Sequence, residues 1–255
     1  MHKGYKVPEH IHLFFDQALA FFLKGTGTRV NYLLDRRASI KDIIEALGVP
    51  HTEVGKLSLD QEEINFDYLP EGGEKIYVLA HTPPVDVTRP TKLRPVPLSE
   101  VKFIVDGNIG KLAMLLRMMG MDTLFEPRLR DEEIALLAHK DGRIVLSRDR
   151  GLLKRKNIVY GHLVQALDPD SQLKEVVHLF GLKPKRLFSR CLRCNELLQP
   201  IAKEKILHLL EPRTKKYFYK FYRCPGCYKI YWQGSHWDKM KDRLEKIGIE
   251  VEDNS

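Results

Sequence analysis

At 255 residues the chain is longer than a typical single domain, so two or three folded units are expected. A hydrophobic share of 43% suits a protein that buries cores, and no run approaches the roughly 20 apolar residues that cross a bilayer. The net charge of +8 is uneven, because residues 181–255 hold 17 Lys and Arg against 9 Asp and Glu while the preceding segments are near neutral. A basic terminal module points to a polyanionic partner, nucleic acid first, against the plainer reading of a solvated Lys-rich face.

The start, Met1-His2-Lys3-Gly4-Tyr5-Lys6, leads into no apolar run with a small-residue cleavage site. The apolar residues 18–23 are too few for a secretory core. A cytoplasmic location without membrane association is the expectation.

Residues 1–81 read as the first unit. Residues 11–15 and 29–34 have the pattern of two strands of one hairpin. Ser39 can cap the helix that follows, in which Ile40, Ile43, Ile44 and Leu47 recur at helical spacing and Gly48 ends the turn. Strands follow at 54–58 and 75–80, with Pro70-Glu71-Gly72-Gly73 as the turn before the last. Two strands, a helix and further strands is the order of a β-grasp, ubiquitin-like unit, and the segment resembles small sulfur carriers and ubiquitin relatives. Those carriers act through a free terminal Gly-Gly, whereas Gly72-Gly73 lies far from Ser255. Docking of a protein partner or a structural role remains for this unit.

Residues 82–98 contain Pro83, Pro84, Pro90, Pro95 and Pro97, a density that prevents helix and central strand and predicts a semi-extended linker.

Residues 99–183 alternate strands and helices. Phe103-Ile104-Val105 is a buried-strand run. A helix from near Asn108 turns Leu112, Leu115, Leu116 and Met119 inward and stops at Gly120. Thr123-Leu124-Phe125 is the next strand, Asp131 opens a helix closed by Gly142, and Ile144-Val145-Leu146 is a third strand. The alternation predicts a parallel α/β sheet.

Three acids stand where such a sheet gathers ligands, outside the carboxyl ends of its strands. Asp106 follows the first strand, Asp149 closes the third, and Asp131 starts the helix between, beside Glu132 and Glu133. Clustered carboxylates suit Mg²⁺ or Mn²⁺, which lowers the pKa of an attacking water and neutralises charge on a phosphate. Each acid also has a local explanation, since Asp131 suits a helix cap and Asp106-Gly107 and Asp149-Arg150-Gly151 are ordinary turn sequences. Arg148 and Arg150 flank Asp149 and are candidates for holding phosphates near the metal, against the plainer reading of surface charges.

Residues 184–255 carry two Cys-x-x-Cys pairs, Cys191/Cys194 and Cys224/Cys227. Two thiolates two residues apart reach one ion from a tight turn, and two such pairs complete a closed tetrahedral Zn²⁺ site. Asn195 and Gly226 suit the knuckle turns, and the run Tyr217-Phe218-Tyr219-Lys220-Phe221-Tyr222 reads as ribbon strand. Its aromatics either fill a small core or stack bases. A helix near residues 237–247 and a frayed end close the chain.

The stretches Phe103-Ile104-Val105-Asp106-Gly107-Asn108-Ile109-Gly110, Leu116-Arg117-Met118-Met119-Gly120-Met121-Asp122, Asp131-Glu132-Glu133-Ile134 and Ile144-Val145-Leu146-Ser147-Arg148-Asp149-Arg150-Gly151-Leu152 resemble PIN-like ribonucleases of the Mut-seven C-terminal family. So do the cysteine pairs with Trp232-Gln233-Gly234-Ser235-His236-Trp237. The resemblance implies an α/β PIN-like nuclease core between a ubiquitin-like domain and a zinc ribbon, with metal-dependent RNA cleavage. It points to Asp106, Asp131 and Asp149 as metal-binding acids, to Asp168 as the candidate fourth, and to Asp122 and Glu133 in reserve. The competing expectation is a zinc-containing RNA- or ribosome-binding protein with a degenerate nuclease fold.

Overall fold

The structure, a computed structural model, describes residues 9–184 and 186–250. The first residues of the chain and the expected frayed end after Glu250 lie outside them. Contacts divide the protein into two compact units, one ending at Glu100 and taking in Ala135–Leu163, the other built from Val101–Ile134 and the chain from Val164 onward.

The first unit opens with β1 (Glu9–Phe15) and β2 (Arg29–Leu34), antiparallel as expected, with Leu13 opposite Val30. Alternation sends Ile11, Leu13 and Phe15 to the buried face. Helix α1 (Ile40–Ala46) begins where Ser39 Oγ accepts the Asp42 N–H at 3.2 Å, and it buries Ile40, Ile43 and Ile44. The remaining strands are β3 (Val54–Leu59), β4 (Glu62–Glu63) and β5 (Lys75–Ala80). The sheet order is β2-β1-β5-β3-β4, with β1 and β5 parallel at its centre, which is the β-grasp arrangement. Gly72 and Gly73 have φ of +112° and +73°, and the Gly73 N–H donates to the His10 carbonyl at 2.7 Å. They form the bend that delivers the chain into β5, so the carrier chemistry of a free Gly-Gly end has no place here.

The Pro-rich segment departs from the expected linker. It has no helix or strand, yet Val87, Leu93 and Arg94 are buried. Arg94 Nε donates to the Val159 carbonyl (3.1 Å), Nη1 to Val54 (3.0 Å), and Nη2 to His51 (3.1 Å) and Thr52 (3.3 Å). One guanidinium donates to four carbonyls at once, two of them shared with other donors, His51 with the Val54 N–H and Thr52 with His81. Proline density forbids regular structure but leaves interleaved side chains free to dock, and the segment is a strap.

The chain continues with β6 (Phe103–Val105), a short 3₁₀ turn, and α2 (Gly110–Met118), whose buried face carries Leu112, Leu115 and Leu116. Gly120, at φ +80°, then turns the chain into β7 (Thr123–Leu124), parallel to β6. Helix α3 (Asp131–Asp141) leads to β8 (Ile144–Ser147), every residue of which is buried. The elements between β8 and the terminal module were not foreseen, beginning with the one-turn helix α4 (Arg150–Leu153) and β9 (Gly161–Leu163), parallel to β8. Strand pairs in parallel, each reached through helix, give the expected α/β pattern. Helix α5 (Pro169–Phe180) follows and ends at left-handed Gly181.

The terminal module has strands β10 (Gln199–Ile201), β11 (Phe221–Arg223) and β12 (Ile230–Trp232) in one antiparallel ribbon. The run 217–222 is strand only at its end, because Pro212 at the first turn sets up helix α6 (Pro212–Tyr217) and takes Tyr217 into it. Ile206, Leu210 and Phe221 form the module's core, with Phe218 packed against it. Helix α7 (Ser235–Lys246) closes the described chain. No helix among the described residues is long and apolar enough to cross a membrane.

Candidate metal centre and acidic residues

The four cysteine sulfurs converge. Sγ of Cys191 lies 3.5 Å from that of Cys227, Sγ of Cys194 lies 3.3 Å from that of Cys224, and all four fall within 4.8 Å of one another. A tetrahedron with Zn–S bonds of about 2.3 Å has sulfur–sulfur edges of about 3.8 Å, so the donor set fits Zn²⁺. The turns that achieve this are alike. Cys191 N–H donates to the Glu196 carbonyl and Asn195 N–H to that of Cys191; Cys224 N–H donates to Lys229 and Tyr228 N–H to Cys224. Each knuckle ends on a left-handed residue, Asn195 at φ +73° and Tyr228 at +61°. Asparagine adopts that conformation readily, whereas tyrosine is held there by the ladder on either side.

Hydrogen bonding eases the ionisation of one sulfur. Burial opposes ionisation of Cys191, yet donors to its sulfur, the Tyr231 hydroxyl at 3.1 Å and the Cys194 and Arg193 N–H groups, prevail and hold its thiol down to about 6. Burial and the neighbouring sulfurs push Cys194 up to about 12. The first knuckle is bolted to the α/β part of its unit. Asn195 Oδ1 accepts the Thr123 N–H at 3.0 Å and Nδ2 donates to Asp122 Oδ1 at 2.9 Å. Asp122 also pairs with Arg190 at 3.4 Å. Buried Arg117 donates to the carbonyls of Thr123, Leu192 and Arg193. Asp122, a reserve acid on sequence grounds, is thereby a mortise for the knuckle. Arg117 gave no local signal, since its α2 position reads as one more helix residue.

Asp106 leaves the carboxyl end of β6 half-buried, with Oδ2 accepting from Asn108 Nδ2 at 2.9 Å. Asp131 is the half-buried first residue of α3. Glu133 is engaged locally: the Arg130 N–H and side chain donate to it and hold its carboxyl below the usual range. Asp149 leaves the end of β8, where its N–H donates to buried Ser147 Oγ at 2.9 Å. Its Oδ1 accepts the Gly151 N–H at 2.6 Å and that of Leu152 at 3.4 Å, capping α4. Asp168 caps α5 in the same way, accepting from Ser171 and Asp170, and those bonds depress its carboxyl. Asp168 thus has a local role as a cap, as Asp149 does.

The helix that Asp149 caps is gripped from outside. Arg150, flagged as a phosphate contact, donates through Nη2 to the Phe21 carbonyl at 3.1 Å and lies 4.6 and 5.0 Å from the ring centres of Phe21 and Phe22. Lys154, just beyond α4, donates to the Glu45 carbonyl at the end of α1. His51 joins Glu45 to the Ile158 carbonyl, both at 2.6 Å. Buried Glu53 accepts the Leu163 N–H at 2.7 Å and faces His162 at 3.2 Å. The β-grasp sheet and the β8–β9 segment are therefore one packed body. Arg148 is exposed.

A family model described as the Mut7-C RNAse domain matches residues 101–244, and one described as Mut7-C ubiquitin matches residues 9–86. No curated protein and no solved structure matches the chain.

Proposed function

Since the chain belongs to the Mut7-C RNase domain family, we propose that it is a metal-dependent ribonuclease with a structural zinc on Cys191, Cys194, Cys224 and Cys227. The family match over residues 101–244 carries this reading. In support, Asp106 and Asp149 each stand at the carboxyl end of a parallel strand, and Asp131 opens the helix between them.

Asp106, Asp131 and Asp149 are hard oxygen donors, half-buried or exposed, of the kind that hold Mg²⁺ or Mn²⁺. Such an ion supplies a water of lowered pKa and neutralises charge growing on the phosphate. The side chains' own tasks are simpler. Asp149 uses Oδ1 for the α4 cap, which fixes the carboxylate's direction and leaves Oδ2 for ligation. Ser147 holds the Asp149 backbone from below. The phosphate contact of this reading falls to exposed Arg148, whereas Arg150 serves the turn itself through Phe21 and Phe22. RNA is the substrate of this reading.

A second reading, a zinc-containing RNA-binding protein without catalysis, is favoured by the double duty of Asp149 as cap. Asparagine caps a helix as well as aspartate does but brings no charge. Asp149→Asn and Asp106→Asn should therefore fold and retain zinc normally, while RNA cleavage in Mn²⁺ drops below detection. Wild-type turnover in either variant rejects the assignment. A wild-type protein that binds no Mn²⁺ beyond its zinc supports the second reading.

A further inference from the structure

The ribbon's aromatics divide between its core and the solvent. Phe218 and Phe221 fill the core, but Tyr217, Tyr219 and Tyr228 are 62%, 75% and 62% exposed, and Trp232 is partly so. Burying a tyrosine ring is ordinarily favourable, so three that stay in water within twelve residues call for an explanation beyond packing.

Each exposed tyrosine has a cation at its ring. Lys203 Nζ lies 4.3 Å from the Tyr219 centre, Lys216 Nζ 5.3 Å from that of Tyr217, and the Arg223 guanidinium 4.7 Å from that of Tyr228. Residues 203–232 hold eight Lys and Arg against Glu204 and Glu211, so most of the protein's net charge sits in these thirty residues. None of those eight cations has an ion-pair partner among the described residues. Arg223 Nε is buried without a hydrogen-bond acceptor. Surface lysines elsewhere do find carboxylates, as Lys56 does with Glu63. Here Lys203, Lys216, Arg223 and Lys229 rest on rings, with Lys203 Nζ also donating to the Lys215 carbonyl, and none of them meets a carboxylate among the described residues.

We infer that the ribbon is a binding surface for single-stranded RNA, with unpaired bases stacked on Tyr217, Tyr219 and Tyr228 and the adjacent Lys203, Lys216 and Arg223 meeting phosphates. A cation on one ring face leaves the other for a base, and every base has a stacking face, so the surface is sequence-tolerant. A duplex keeps its bases stacked on one another and offers nothing to the rings. The choice of RNA over other polyanions rests on the ribonuclease reading; the demand for flat rings together with phosphates comes from the surface itself.

The test uses the full zinc-loaded chain in buffer free of Mg²⁺ and Mn²⁺, so that turnover does not intervene. Fluorescence anisotropy would follow a labelled oligouridine about 12 nucleotides long and a blunt RNA duplex of equal length. The single strand should bind at least about tenfold more tightly than the duplex. Each Tyr→Ala substitution should weaken it about fivefold or more, and each Tyr→Phe should not, since the ring is retained. Lys203→Gln and Lys216→Gln should each reduce the slope of log affinity against log salt by about 0.7. Zinc content at one per chain certifies that the knuckles are intact. Should a zinc-replete Tyr217→Ala/Tyr219→Ala/Tyr228→Ala protein bind oligouridine like wild type, or should duplex bind as tightly, the inference is overturned. If the triple variant loses zinc, the Tyr→Phe series and the salt slopes decide. Ring-dependent binding by a wild-type protein that never cleaves RNA would retain this surface and reject the nuclease reading alone.

Discussion

Arg94 offers the sharpest test of how this protein is held together. Its guanidinium donates to four carbonyls, three from residues 51–54 and one from Val159, and sits 6.0 and 5.7 Å from the rings of Phe66 and Tyr160. Hydrogen bonds from a charged donor contribute about 1.5–3 kcal/mol each, so four give a gross of roughly 6–12 kcal/mol. Against this stands the cost of dehydrating the cation: burial lowers its pKa from the usual guanidinium range to about 10, a loss of about 3 kcal/mol. Methionine fills much of the volume without the charge but leaves buried acceptors short of a donor, so Arg94→Met should destabilise by about 3–5 kcal/mol, the lower part of the difference between those two figures. Urea unfolding followed by circular dichroism would measure it, and Tm should fall by roughly 10 °C or more. Arg94→Lys should fail to rescue, because one ammonium cannot span four carbonyls. A loss below about 1 kcal/mol for Arg94→Met would show that the strap is merely laid on the surface and that the four bonds are matched by water in its absence.

Acid should loosen the same region. Burial, and then the charge of Arg94, lowers the His81 pKa from 6.5 to about 4 in the folded protein, where Nε2–H donates to the Thr52 carbonyl at 2.9 Å. The unfolded chain therefore takes up a proton first as pH falls. Stability is full above pH 6.5 and declines down to about pH 4, by at most about 3 kcal/mol. Glu53, depressed by His162 and the Leu163 N–H despite burial, adds to the decline at the lower end of that window. Urea midpoints at pH 7, 5.5 and 4.5 should slope accordingly in wild type and less in His81→Gln; equal slopes would remove His81 from the account. At the metal centre, Cys191→Ser should abolish zinc binding and raise hydrogen exchange at Thr123, whose N–H is tied to Asn195 in the knuckle. Protection of Thr123 as in wild type would mean that the knuckle folds without its metal.

Much of this protein is written in local patterns. Period-two alternation at Ile11, Leu13 and Phe15, helical spacing at Ile40, Ile43 and Ile44, and the cap at Ser39 each act over a few residues, so the β-grasp elements were legible in order. The cysteine pairs were legible because two ligands two residues apart are a local device, and only their meeting needed the fold. Other features depend on partners far along the chain. Nothing near Arg94 announces the carbonyls at 51–54 and 159, and nothing near Arg117 announces those at 192 and 193. Pro212 decided that Tyr217 ends a helix, and the ribbon core then chose Phe218 and Phe221 over the neighbouring tyrosines. Composition supplied the aromatic and basic residues of the module; which rings are buried and which stay in water was settled by packing, since a core admits only the side chains that its strands turn inward.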